Sequence, residues 1–330
     1  LEQKNPKMVS DTKSFVDELR RITVLWDELW IGTLQNNLQD VMRQVANLER
    51  DIEITRLNVN LSLNEKELFI KEKHHIYFRR ILYTLELTKL ITSEKAETIH
   101  ENWFHKFFSK QINELINCIK YPESFWEPSK ILQFYQANLQ SIRKQSFISI
   151  SNRLEMQDIS FILAGLKNTN IPIPGSKVSI QKINNTVTIL QTLTKPKKIT
   201  FVGNDGRLYP HLFKGHEDLH LDERIMQFLS IVNLILSSSD QITKQRHLLS
   251  RARHYSVTPL GNKSGLIEWV SGAQPLYRFY NRWLGSRDFQ DLQESTIKIS
   301  PVELFRQKLA KYKLSVENRS EWPEKVLSAI

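Results

Sequence analysis

The chain has 330 residues, 46 Lys and Arg against 36 Asp and Glu, and a formal charge of +10. That length allows two domains and a sizeable core, while the single cysteine, Cys118, excludes an internal disulfide framework and any multi-thiolate metal site. The longest apolar candidate, around 226–236, is interrupted by Ser230 and Asn233 and is too short to cross a membrane. No secretory leader is visible and the first residue is Leu1, so the chain reads as a piece of something longer. A basic balance suits nucleic acid, anionic lipid or nucleotide phosphates and chooses none of them. No Arg-rich tract, aromatic-interleaved basic repeat or CxxC pair points to direct reading of RNA or DNA.

Gly32 is the only glycine before Gly165, and no proline lies between Pro6 and Pro122, which marks helical territory. Phe15, Leu19, Ile22, Trp26 and Leu29 step by four and three. After an expected break at Gly32 the stepping resumes with Leu34, Leu38, Val41, Val45, Leu48 and Ile52, a seam that wants a partner helix. Ile81, Leu85 and Leu90 continue it, as do Trp103, Phe107, Leu115 and Ile119. Thr92 or Ser93 could cap a helix running to about Cys118. Residues 1–148 thus read as a bundle of about four helices, closed by one over 131–147. Trp26 and Trp30 suit either an aromatic ligand wall or plain core.

From about 165 the pattern changes. Pro172, Pro174 and Gly175 break the chain; Val178 and Ile180 alternate, and Ile183 leads through Asn184-Asn185 to Val187, Ile189 and Leu190. This spacing predicts a hairpin with the Asn pair at positive φ. A second hairpin is expected from 199–202 through Gly203-Asn204-Asp205-Gly206 to a strand ending at Lys214. A helix from Asp222 carries Ile225, Phe228, Val232 and Ile235 on one face. Strands at 254–260 and 266–270 flank the turn 261–265. Beyond Ser271 the chain reads as helical again, with Pro301 and Pro323 near helix starts. The expectation is an α+β chain, with an antiparallel sheet of about five strands or slightly more and one helix against it.

Residues 212–228, Leu-Phe-Lys-Gly-His-Glu-Asp-Leu-His-Leu-Asp-Glu-Arg-Ile-Met-Gln-Phe, carry the chemistry. An apolar strand delivers Lys214 to its end, a glycine turn follows, and Glu217 and Asp222 precede or open a helix. A strand-end cation beside carboxylates and loose backbone is what gripping a phosphate requires. The plain alternative is a surface lysine followed by ordinary acids at a helix start.

The phrases Lys-Gly-His-Glu-Asp-Leu-x-x-Asp-Glu-Arg at 214–224 and Ser-Gly-Leu-Ile-Glu-Trp-Val at 264–270, the latter after His-Tyr-Ser-Val-Thr-Pro-Leu at 254–260, resemble the phosphatidylinositol 3-kinase-related protein kinases. Residues 18–30 resemble the first helix of the FRB domain that precedes the kinase lobes in that family. Residues 194–198 and 218–233 are similar to its branch acting in nonsense-mediated mRNA decay. The resemblance implies an FRB-like bundle at 1–148 and a PI3K/PI4K-type kinase domain at 149–330. Within the latter, the small lobe would cover about 165–270 and the start of the large lobe 271–330.

By that resemblance Lys214 binds nucleotide phosphate oxygens, Glu217 positions it, and Asp222 lines the inner pocket. The loop 191–195 covers the phosphates with backbone N–H groups and the Thr192 and Thr194 hydroxyls; it is not Gly-rich. Many relatives carry lysine where this chain has Leu193, which puts one phosphate contact in doubt. Tyr255 stands at the inner wall, Trp269 stacks on adenine, and Val270 offers hinge backbone. Leu190 and Ile267 complete the implied ATP-binding set. As anonymous residues, Trp269 is a core aromatic, Tyr255 a strand filler, and Lys195, Lys197 and Lys198 a solvated charge run.

No Asp-Arg-His-x-x-x-Asn catalytic loop or metal-binding turn follows, and Asp288-Phe289-Gln290 comes too early, with no glycine after it, and reads as helix surface. No metal-ligating residue is therefore assigned. The implied parent is an ATP- and Mg2+- (or Mn2+-) dependent serine/threonine kinase that phosphorylates the up-frameshift RNA helicase at Ser/Thr-Gln. Regulatory subunits of the decay complex would be further partners, with neither membrane nor direct nucleic-acid contact. Its expected place is the cytoplasm, with the nucleus as a second location, and the isolated chain should be inactive. The alternatives are another member of the family or a lipid kinase, and a non-catalytic basic scaffold for RNA or partner helices.

Overall fold

A computed structural model describes residues 6–149, 153–190, 192, 194–238 and 251–284. Five helices come first: α1 (Pro6–Ile22), α2 (Trp26–Leu57), α3 (Leu63–Thr92), α4 (Ile99–Lys120) and α5 (Pro128–Ser149). The strand β1 (Arg153–Glu155) and the short helices α6 (Met156–Ile159) and α7 (Phe161–Gly165) lead to β2 (Ile180–Ile183), β3 (Thr186–Ile189), β4 (Lys197–Gly203) and β5 (Leu208–Gly215). Helix α8 (His220–Ser238), strands β6 (Val257–Gly261) and β7 (Ser264–Glu268), and helix α9 (Leu276–Leu284) follow. The chain divides into two compact units, 1–269 and 270–330. Within the described part of the second, Tyr280 of α9 lies 6.3 Å from Tyr277 and 6.2 Å from Trp283, ring to ring. The segments expected at 288–290, Pro301 and Pro323 lie outside the described residues.

Helices α2 to α5 enclose one core, with Trp30, Leu34, Val41 and Leu48 of α2 packed among Phe78, Ile81, Phe104, Phe108, Leu115, Tyr135 and Leu139. The expected break at Gly32 does not occur. Helix α2 runs through it for 32 residues, because the roughly 1 kcal/mol cost of a mid-helix glycine is small beside the burial of its apolar seam. The cap of α4 is Thr98 rather than Thr92 or Ser93. Its hydroxyl accepts from the Glu101 N–H at 3.2 Å, while the Glu101 carboxylate accepts from the Thr98 N–H at 3.1 Å. Thr92 instead lies buried, taking the Trp30 indole N–H at 2.9 Å. Trp26 packs edge-on to Phe104 at 5.8 Å, so both tryptophans are core.

Helix α1 does not join that bundle. Its Phe15, Leu19 and Ile22, with Leu25, pack under the sheet against Ile180, Val187, Ile199, Phe201, Phe213 and Leu266. The apolar seam that looked continuous in sequence therefore splits between two cores at residues 23–25.

The described strands form an antiparallel sheet in the order β1-β3-β4-β5-β7-β6, with β2 also paired to β4. The β4–β5 hairpin forms as expected, and so does β6–β7, but with strands at Val257–Gly261 and Ser264–Glu268 instead of 254–260 and 266–270, so Trp269 and Val270 follow the strand and do not belong to it. The Asn184-Asn185 hairpin does not form: β2 and β3 both pair with β4, Ile183 opposite Phe201 and Thr188 opposite Lys198. They lie end to end along β4, interrupted at the Asn pair, and β1 pairs with the outer side of β3. Neither Asn has the positive φ that a two-residue reversal needs, and Asn184 N–H instead donates to the Thr200 carbonyl of β4 at 2.9 Å. Helix α8 touches β6 and leaves Ile225, Phe228, Ile231 and Ile235 exposed.

Candidate nucleotide-binding site

Alternation along β5 sets the site. His211, Phe213 and Gly215 point to the buried face, while Leu212 and Lys214 point to the half-exposed one. Gly215 is needed because a Cβ there would run into the Thr23 side chain below the sheet. His216 follows at φ 62° and turns the chain, bringing Glu217 back to Lys214 with Nζ 2.9 Å from Oε2. The two side chains are 27% and 37% exposed. An ion pair this open is worth roughly 0–1 kcal/mol, so an arriving phosphate can compete for the lysine. Opposite Lys214 stands Gly265 of β7; a Cβ there would lie 2.7 Å from the Leu219 side chain and 2.8 Å from the Thr258 carbonyl.

The same sheet face carries a row from β4 to β6: Lys198, Leu212, Ile267 and Val257 are successive cross-strand partners. Trp269 lies two residues beyond Ile267, tied to the sheet by its N–H donating to the Pro210 carbonyl at 3.0 Å. It is half-buried, and the Lys198 ammonium stands 4.2 Å from its ring centroid. Leu190, just after β3, is also half-buried, and its N–H donates to the Pro196 carbonyl at 2.9 Å. Apolar side chains, a half-exposed indole and strand-borne ammonium groups fit an adenine base and its phosphates.

Other implied residues are placed less closely. Thr192 is exposed and Thr194 half-buried, and the backbone of their loop is partly committed: Thr192 N–H donates to the Leu190 carbonyl at 2.8 Å and Lys195 N–H to the Thr192 carbonyl at 3.2 Å. Gln191 and Leu193 lie outside the described residues. Asp222 is exposed in the first turn of α8; among the described residues no hydrogen bond or ion pair joins it to Lys214. Tyr255 is half-buried and lines a cavity of about 350 Å³ with Glu223, Met226 and Glu268. Val270 opens the second unit. Among the described residues no group of three or more His, Cys, Asp and Glu side chains could hold a metal ion.

The lysine run beside the loop is not a solvated charge run. Lys197 is 1% exposed, and its ammonium donates to Glu28 Oε2 at 2.7 Å and to the Thr23 carbonyl at 3.0 Å. Glu28 also accepts from the Leu25 N–H at 3.0 Å, closing the start of α2. Its neighbour Asp27 is fully buried, with Oδ1 3.3 Å from His100 Nε2 at an angle unsuited to a hydrogen bond. Burial pushes the Asp27 carboxyl up, but His100, the Ser146 hydroxyl and the charge of Lys195 outweigh it and hold the group below its ordinary value. The acidic first turn of α2 thus receives the basic stretch that ends the loop. A cleft of about 350 Å³ lies there, lined by Thr23, Glu28, Gly32, Thr194, Lys195 and His216. Period-two counting from Ile199 and Phe201 puts Lys197 on the buried face, a signal present in the sequence.

Residues 208–327 match the family model for phosphatidylinositol 3- and 4-kinase. The chain is 39% identical over 347 residues to the serine/threonine-protein kinase SMG1 of Danio rerio, covering 99% of this chain and 10% of that protein. It is 34% identical to the serine/threonine-protein kinase Smg1 of Drosophila melanogaster, covering 99% and 10%. It is 26% identical to the serine/threonine-protein kinase TOR of Oryza sativa, covering 91% and 11%. The chain thus spans about a tenth of the length of these relatives and only part of a kinase domain. Kinases of this kind bind ATP, a divalent metal and a protein substrate. With the helical region, the antiparallel sheet and the strand-end Lys214 in place, the chain belongs to the phosphatidylinositol 3- and 4-kinase family, in the PI3K-related branch that holds the SMG1 protein kinases.

Proposed function

We propose that this chain is the FRB-like bundle, small lobe and beginning of the large lobe of a serine/threonine kinase of nonsense-mediated mRNA decay. The observation that carries this reading is the Lys214–Glu217 pair on one half-exposed sheet face with Ile267 and Trp269, in a chain 39% identical to an SMG1 kinase. Lys214 would hold phosphate oxygens, Glu217 would keep its ammonium in place, and Trp269 would stack on the base between Leu190 and Ile267. Asp222, Tyr255 and Val270 would complete the pocket, and Thr192 and Thr194 would cover the phosphates. ATP with Mg2+ or Mn2+ would supply the transferable phosphoryl group. The substrate would be the up-frameshift RNA helicase at Ser/Thr-Gln, with SMG-type regulatory subunits as partners, in the cytoplasm and secondarily the nucleus.

Full-length protein should phosphorylate Ser-Gln peptides of that helicase, and Lys214→Met should lower turnover by at least about a hundredfold, the scale of losing one positioned transition-state charge. These 330 residues alone should give no turnover, since no Asp-Arg-His-x-x-x-Asn loop is present in them. Turnover by the isolated chain, or full activity in Lys214→Met, would overturn the reading.

A further inference from the structure

Three neighbouring lysines meet different fates in the first unit. Lys197 is sealed beneath the sheet on Glu28, and Lys214 is paired with Glu217. Lys198 alternates to the half-exposed face, where its ammonium stands 4.2 Å over the Trp269 ring and touches no carboxylate among the described residues. In register it sits opposite Leu212, one row from Lys214 on the same face, so the two side chains start about 7–8 Å apart. Its ring contact is worth only roughly 0.5–1 kcal/mol at so open a position. A phosphate oxygen offers a charge-assisted hydrogen bond, about twice as strong as a neutral one.

We propose that Lys198 is a second phosphate-binding cation of this site, parked on Trp269 until a nucleotide displaces it. The inference rests on reading Lys214 and Trp269 as a nucleotide site. A base stacking on the ring face that Lys198 covers must push the ammonium away. The next anion within reach of the lysine stem, along the sheet toward Lys214, is then the nucleotide's own phosphate chain. Lys198 is accordingly a binding residue that couples vacating the base shelf to holding the phosphates.

The test compares binding of ATP, ADP and adenosine to full-length protein carrying wild-type Lys198, Lys198→Met or Lys198→Arg. Lys198→Met keeps the stem and removes the charge. It should weaken ATP and ADP about fivefold or more while adenosine binds equally or more tightly, and Lys198→Arg should restore ATP binding. Equal weakening of ATP and adenosine would reduce Lys198 to a packing role, and unchanged ATP binding would remove it from the site; either result overturns the proposal alone. Failure of wild-type protein to bind ATP would overturn the nucleotide reading beneath it.

Discussion

Single residues carry unequal weight at this site. Lys214 makes an open, exchangeable pair, whereas Lys197 makes one closed to solvent. Removing one partner of a buried pair leaves the other charge unpaired and costs roughly 3–5 kcal/mol. Lys197→Met should therefore destabilise this chain on that scale in urea unfolding, and Lys197→Met with Glu28→Leu should recover most of the loss. Equal destabilisation by the single and double variants would show that the pair is not the cause. Asp27 adds a pH dependence. Its folded-state value lies below the unfolded one of about 3.9, so its contribution is present above that pH and lost as pH falls through the folded value. The gap in unfolding free energy between the native chain and Asp27→Asn should be widest near neutrality and narrow steadily below about pH 4; a gap that stays constant would contradict this.

Elements are where sequence and structure part company, for reasons that can be named. The β4–β5 hairpin was legible because Gly203-Asn204-Asp205-Gly206 holds both glycines and an Asp whose carboxylate takes the Arg207 N–H at 3.0 Å. Asn184-Asn185 offered the same kind of turn signal and produced none. A backbone pairing to β4 overrode it, which no local pattern reveals. The lysines at 195–198 read as solvated although period-two counting puts Lys197 on the buried face; what the local pattern could not show is its partner Glu28, 169 residues away in the chain. The glycine after Lys214 read as a turn, but it ends β5 opposite Ser264 and His216 makes the turn; a glycine is needed there for a long-range reason, the close approach of β5 to Thr23. Gly215→Ala should cost about 1–3 kcal/mol, as overpacking does, and Gly215→Ala with Thr23→Ser should regain most of it. A neutral Gly215→Ala in thermal unfolding would remove the close approach from the account.

At the level of the whole first unit, helix α1 and the start of α2 join two cores. Phe15, Leu19 and Ile22 belong to the sheet, Trp30 onward to the bundle, and Asp27 and Glu28 between them meet Lys195 and Lys197. The fold class was readable from the change in glycine, proline and apolar spacing near residue 165. The split of the first seam was not, because a four-three pattern states that a face is apolar and not what covers it. For the site, the approach of Glu217 to Lys214 was readable as a strand-end cation followed by nearby carboxylates, while the occupation of the Trp269 ring by Lys198 needed the register of β4, β5 and β7. The most direct measurement of the central claim is modification of Lys214 by an amine-reactive ATP analogue in full-length protein, with and without excess ATP. Lys214 should be labelled and then protected by ATP, while exposed lysines such as Lys263 label equally in both; labelling of Lys214 indifferent to ATP would contradict a nucleotide site on this sheet face.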